Sequence, residues 1–217
     1  LLLLVFWNAP AGNFALFATG VALLAGAVPM ALARLGQARE EDRWQAIAIP
    51  PAIAAAAILH FHGGEGVQAM LALGLVALGG MAVGAAVIFG RAGAEDRAEW
   101  GHGAAIALIA YLAAIALLPN IAIGWALALA AAAVLLALPK WYHLALSLLA
   151  IAAGWALPTV ALWSSTLTPA LAGTPASTAD LPGLASIANR IVPVALLAVL
   201  AGWRLDSQRR ELRIFSG

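Results

Sequence analysis

The chain has 217 residues, of which 64% are hydrophobic and only 10% charged, with a mean hydropathy of +0.97. That is far more apolar than a soluble domain, which runs near half apolar and a quarter charged, and far too apolar for a disordered chain. Eleven Lys and Arg against ten Asp and Glu leave no basic surplus for nucleic acid, and the absence of cysteine removes disulfides, thiolate nucleophiles and cysteine-ligated zinc.

What remains is the all-α class: a polytopic bundle of transmembrane helices. Its partners are the lipid bilayer and, through it, other membrane or envelope proteins; no cofactor is expected. The first residue is Leu, and the apolar run Leu1–Trp7 stops at Asn8-Ala9-Pro10. Seven helical residues rise only about 10 Å, a third of the roughly 30 Å hydrocarbon core. The run lacks the basic region and small-residue cleavage site of a signal peptide. It reads as the end of a truncated span in a fragment of a longer chain.

The first complete span is Asn13–Leu35, closed by Arg34 and followed by the charged segment Gly36–Arg43. The second, Trp44–Phe61, carries Pro50-Pro51, which removes backbone donors and predicts a kink that membrane bundles tolerate. The third is Val67–Phe89 and the fourth Ala104–Leu118. From Ala104 to Leu138 the chain is almost continuously apolar. As one helix this stretch would be about 52 Å long, well beyond the core. Pro119-Asn120 is therefore a tight turn, and Ile121–Leu138 a fifth span. The same argument at Pro139-Lys140 makes Trp141–Leu162 the sixth. Residues Trp163–Ala185, rich in Ser, Thr, Pro and Gly, read as a loop, and Ser186–Trp203 is the seventh complete span. The organisation is thus a membrane domain over 1–203 and a soluble tail over 204–217.

Cationic residues in short loops mark the cytoplasmic side. Arg34, Arg39, Arg43, Arg91, Arg97, Lys140, Arg204, Arg209, Arg210 and Arg213 fall on one side of this layout and only Arg190 on the other. A miscounted helix would scramble that split. The basic loops and the C-terminus are therefore expected to face the cytoplasm of a bacterial inner membrane. Trp7, Trp44, Trp100, Trp141, Trp163 and Trp203 fall at span ends, where indole anchors at the headgroups. Trp125 and Trp155 lie inside spans and are expected to pack or to face lipid. Glu41-Asp42-Arg43-Trp44 is echoed 54 residues later by Glu95-Asp96-Arg97-Ala98-Glu99-Trp100. The echo suits either a repeated two-helix unit or the shared chemistry of helix N-termini, where acids complement the dipole.

Few residues offer chemistry. His60, His62 and Glu65 are the most metal-like cluster, although residues two apart on a helix point about 200° apart, so the set works only in an extended segment. The acidic runs Glu40–Asp42 and Glu95-Asp96-Glu99 are interleaved with Arg and read as solvated, salt-bridged loops. Gly80 and Gly84 form a small-xxx-small face suited to close helix packing. Arg190 with Asn189, near the outer end of the last span, can bind an anionic substrate or lipid headgroup, or snorkel. Ser164, Ser165, Thr166 and Thr168 have no nucleophile frame around them. Tyr111, Ser147, Thr159 and Asn189 are polar groups in or near the spans, suited to interhelical hydrogen bonds. No Asp, Glu, Lys or Arg occupies the middle third of any complete span, where pumps and proton-coupled transporters need one.

The serial Ala/Leu-rich helices with very short turns resemble a bacterial family of large membrane proteins, domain-of-unknown-function family 2339. The likeness is carried above all by the strip Leu135-Leu136-Ala137-Leu138-Pro139-Lys140-Trp141-Tyr142-His143-Leu144-Ala145-Leu146. There a proline-plus-basic turn flanked by aromatics joins two helices. The resemblance covers most of the chain and implies a polytopic membrane fold. Family members are longer, which suits a truncated chain, and their activity is not established, so no site residue carries over. The functional expectation is a non-enzymatic structural or envelope-associated module. The alternatives are a transporter or lipid-handling protein, with Pro50-Pro51, Pro158 and Pro193 as helix breaks, and a membrane-embedded transferase using the outer segment 163–190.

Overall fold

The computed structural model describes residues 11–61, 68–91, 96–173 and 183–215; the expected partial span Leu1–Trp7 lies outside them. Every regular element among the described residues is helical. Seven helical stretches are long and apolar enough to cross a membrane: Asn13–Arg34, Glu40–Phe61, Gln68–Gly90, Arg97–Leu117, Asn120–Ala137, Pro139–Leu171 and Ala185–Arg204. These are the seven complete spans expected, in an all-α bundle. The chain divides into two compact units, Leu1–Leu118 and Pro119–Gly217.

In the first unit, the opening span is α1 (Ala11–Ala22), a single π-helical stretch (Leu23–Ala27) and α2 (Val28–Arg34). Pro29 explains the π stretch. It has no N–H to offer the carbonyl four residues back, Ala25, and the wider turn absorbs the missing bond. Gly26, buried in that turn, faces α4 (Gln68–Arg91). A Cβ at Gly26 would collide with the side chain of Met81, and in return Sδ of Met30 would lie 3.8 Å from a Cβ at Gly84. The two segments thus exchange a methionine for a glycine at two levels. Of the Gly80/Gly84 pair only the second half serves this packing, because a Cβ at Gly80 would meet nothing within 4 Å.

α2 ends in a Schellman cap. Gly36 adopts φ 69°, the Gln37 N–H donates to the Leu32 carbonyl at 2.9 Å, and the Gly36 N–H donates to the Ala33 carbonyl at 3.2 Å. α3 (Glu40–Phe61) begins almost at once. Asp42 accepts the Arg39 backbone N–H at 2.8 Å, and Glu40 accepts the Trp44 indole N–H at 3.3 Å. Glu40–Asp42 are therefore the first turn of a helix and not a loop; their charge complements the helix dipole and their oxygens cap it.

α3 runs through the buried pair Pro50-Pro51 without interruption. α3, α4 and α5 (Asp96–Leu117) pack mutually. Their contacts are made by small residues: Ala54, Ala56, Ala85 and Ala107 are fully buried. Where α5 crosses α3, a Cβ at Gly101 would stand 3.1 Å from Cδ1 of Ile47 and 3.2 Å from the Trp44 ring. Small residues let backbones approach where apolar burial gains little against lipid.

The second unit holds α6 (Asn120–Ala137), a 3-10 turn (Pro139–Trp141), α7 (Tyr142–Leu171) and α8 (Leu184–Phe215), with the three helices mutually packed. The tight turns expected at Pro119 and Pro139 are present. One expectation is corrected. The segment from Trp163 is not a loop: α7 continues through it to Leu171 and is 30 residues long, about 45 Å and longer than the hydrocarbon core. Its hydroxyls fold back rather than compete with the helix. Ser164 donates to the Ala161 carbonyl, Ser165 and Thr166 to Leu162, and Thr168 to Ser164. The helix stops at Gly173, φ 78°. The tail expected beyond Trp203 is helical, continuing α8 to Phe215, as its Arg, Glu, Gln and Leu content favours.

The glycine–methionine exchange sets a test. Gly26→Val overpacks the π turn and is expected to cost about 1–3 kcal/mol, read as a lower midpoint of thermal unfolding in detergent. Met81→Ala added to it restores most of the loss. A Gly26→Val protein as stable as the parent would exclude this packing.

Candidate functional site

Trp125, Trp155, Thr159, Asn189 and Arg190 of the second unit come together at the second turn of α8. Pro193 supplies no N–H to the carbonyl four residues earlier, which belongs to Asn189. That carbonyl faces α6 at Gly124, where a Cβ would stand 3.2 Å from the Asn189 oxygen and 3.5 Å from Cγ of Pro193. The glycine is what allows α8 to approach so closely.

With the helices at that distance, the Asn189 and Arg190 side chains reach a neighbour each. Asn189 Oδ1 accepts the indole N–H of Trp125 on α6 at 3.1 Å, and its Nδ2 donates to the Ala185 carbonyl at 2.9 Å. Arg190 turns to α7: Nη1 donates to Oγ1 of Thr159 at 2.9 Å, and the guanidinium carbon lies 5.0 Å from the centroid of the Trp155 ring. Thr159 is only 1% exposed. Between its two contacts on α7 sits Pro158, which deprives the Gly154 carbonyl of its helical donor.

Two adjacent residues of α8 thus tie it to α6 and to α7. Arg190 lies back across α7. Its charge is held by an aromatic face and a hydroxyl, and among the described residues it forms no salt bridge. A contact of this kind is worth about 0.5–2 kcal/mol each from the hydrogen bond and the cation–π pair. A guanidinium has five N–H donors, so the Thr159 bond leaves donors able to meet an anion. The arrangement can lock three helices and can hold an anionic group, and it contains no activated nucleophile.

The other sequence candidates are not brought to this place. His60, at the end of α3, packs edge-on against Phe14 at 5.0 Å and Phe61 at 6.0 Å, with Phe14 and Phe61 also edge-to-face at 5.1 Å. His62 and Glu65 lie outside the described residues. Among the described residues no three His, Cys, Asp or Glu side chains gather so as to hold a metal ion.

Sequence reading missed the partners Trp125 and Trp155, which it took as packing or lipid-facing. The available signal was their position: every other tryptophan falls at an expected span end. Those two lie inside spans, where an indole offers an N–H, as Trp125 does to Asn189, or a ring face, as Trp155 does to Arg190.

Seven crossing helices with polar side chains turned on one another make this a multi-pass α-helical membrane protein. Comparison with family models, with curated proteins and with solved structures finds no match.

The clasp predicts that Thr159→Val, which keeps the side-chain shape and removes the acceptor, destabilises the protein by about 1–3 kcal/mol in denaturant unfolding. Gly124→Ala, which pushes α8 from α6, is expected to shift the Trp125 emission as the Asn189 bond lengthens. An unchanged spectrum would contradict the close approach.

Proposed function

We propose that this chain is a non-enzymatic module of a bacterial inner membrane, with a structural or envelope-associated role. The basic span ends and the C-terminus face the cytoplasm. The observation that carries the reading is the clasp: Asn189 and Arg190 are engaged with Trp125, Thr159 and Trp155 on the two neighbouring helices. The costliest polar groups of the unit are used to hold helices together. The proline-plus-basic turn behind the resemblance to domain-of-unknown-function family 2339 is a single 3-10 turn, Pro139–Trp141, and membership of that family belongs to this proposal.

A second reading, lipid handling, is favoured by one observation. The first unit holds an apolar groove of about 500 Å³ between the opening span, α3 and α4, lined by Phe14, Ala18, Ile53, Phe61, Leu71 and Leu75 among others. A cleft of that size suits an acyl chain.

Arg190→Leu and Gly74→Phe, which fills the groove, separate the two. As a structural lock, Arg190 is needed for stability, and Arg190→Leu unfolds at lower temperature with its bound lipid unchanged in native mass spectrometry; unchanged stability would exclude the lock. If the groove handles lipid, bound lipid is lost in Gly74→Phe. Orientation is tested on single cysteines at Ser164 and Ser207, since the chain has no cysteine of its own. A membrane-impermeant maleimide added to spheroplasts is expected to label the first and not the second. Labelling of both would defeat the proposed topology.

A further inference from the structure

Four spans of the first unit end at one membrane boundary: Asn13–Arg34 and Gln68–Gly90 arrive there, and Glu40–Phe61 and Arg97–Leu117 leave it. Between these ends lies a cavity of about 560 Å³, within the range of small-molecule sites. Its lining contains three arginines, Arg39, Arg43 and Arg97, and one acid, Glu40. The floor is Phe89, 2% exposed, and the Arg43 guanidinium carbon is 5.7 Å from that ring's centroid. One cation is thus fixed in place over an aromatic face.

Two acids at the start of α3 already have local work. Glu40 accepts the Trp44 indole N–H and Asp42 accepts the Arg39 backbone N–H. Among the described residues, none of the three arginines forms a salt bridge. The rim that carries Arg39 and Arg43 is also stiff, being the Schellman cap at Gly36 followed directly by the capped start of α3. The starts of α3 and α5 both contribute lining residues, Arg39 just before α3 with Glu40 in it, and Arg97-Ala98 in α5.

A preformed cavity with excess positive charge, planar fork-like donors and an apolar floor at a membrane boundary matches one ligand chemistry. We propose that this cavity binds a phosphate group, delivered as the phosphodiester of an anionic lipid headgroup or as a soluble phosphate. A phosphate offers oxygens in several directions to converging guanidiniums, whereas a carboxylate offers only two. The inference does not depend on the roles above: its residues lie in the other unit from the Arg190 clasp, and its lining shares no residue with the apolar groove.

The test uses the full chain in nanodiscs of phosphatidylcholine with and without one-fifth phosphatidylglycerol, followed by native mass spectrometry. A second arm measures the thermal shift produced by inorganic phosphate in neutral detergent. The variant R39Q/R97Q keeps Arg43 on Phe89; E40Q keeps an oxygen for the Trp44 indole while removing the lone acid. Retained phosphatidylglycerol is expected to fall about five-fold for each arginine removed and to rise in E40Q, identifying a lipid headgroup. Stabilisation by inorganic phosphate that is lost in R39Q/R97Q, without preference for phosphatidylglycerol, identifies a soluble phosphate. If R39Q/R97Q fails to fold, E40Q alone decides through its gain. Lipid retention and phosphate stabilisation that are the same in parent, R39Q/R97Q and E40Q would overturn the proposal.

Discussion

Hydrocarbon offers no hydrogen bonds, so a chain crossing it must satisfy each backbone N–H and C=O within itself. That requirement makes every crossing segment here a helix and gives the exceptions their meaning. Pro29, Pro50, Pro51, Pro158 and Pro193 each leave a carbonyl without its helical donor, and each sits inside a described span. The structure answers them differently. Pro29 is accommodated by a π stretch, Pro50-Pro51 stand buried in a helix that runs on through them, and Pro193 brings the freed Asn189 carbonyl against Gly124 on α6. The last case is also where the polar side chains meet, because a helix break both opens the ladder and lets a neighbour come close.

Close approach is the second theme. With lipid as apolar as leucine, helices gain little by hiding hydrophobic surface from one another, and association rests on contact and on hydrogen bonds. The first unit uses contact: fully buried alanines, Gly101 under Ile47 and Trp44, and the reciprocal Gly26–Met81 and Met30–Gly84 pairs. The unbranched methionine side chain suits an irregular notch of this kind. The second unit adds hydrogen bonds and an aromatic-held cation, which need side chains from three helices to coincide.

Charge is arranged by the same economy. The basic residues gather at span ends, where water and headgroups solvate them. The first turn of α3 places Glu40, Glu41 and Asp42 at the positive end of its helix, and the sequence at the start of α5 follows a similar pattern. This local rule suffices to produce the echoed Glu-Asp-Arg-Trp pattern. Where those turns meet the C-terminal ends of α2 and α4, arginines outnumber acids around one cavity.

The sequence by itself determined the class, the seven spans and the turns at Pro119 and Pro139, because span length and apolarity are local properties set by the thickness of the membrane. It misjudged the segment after Trp163, since Ser, Thr and Pro signal a loop on average. Only the fold showed each hydroxyl bonded back to its own helix. Asn189 and Arg190 were legible as the unusual polar pair of the last span. What they touch was not, because Trp125 lies 64 residues from Asn189 and Thr159 lies 31 residues from Arg190. Apolar helices of similar composition can pack in many rotations and registers. Which polar groups meet was decided by the tertiary contacts, through a glycine that admits a backbone and a proline that frees a carbonyl beside it.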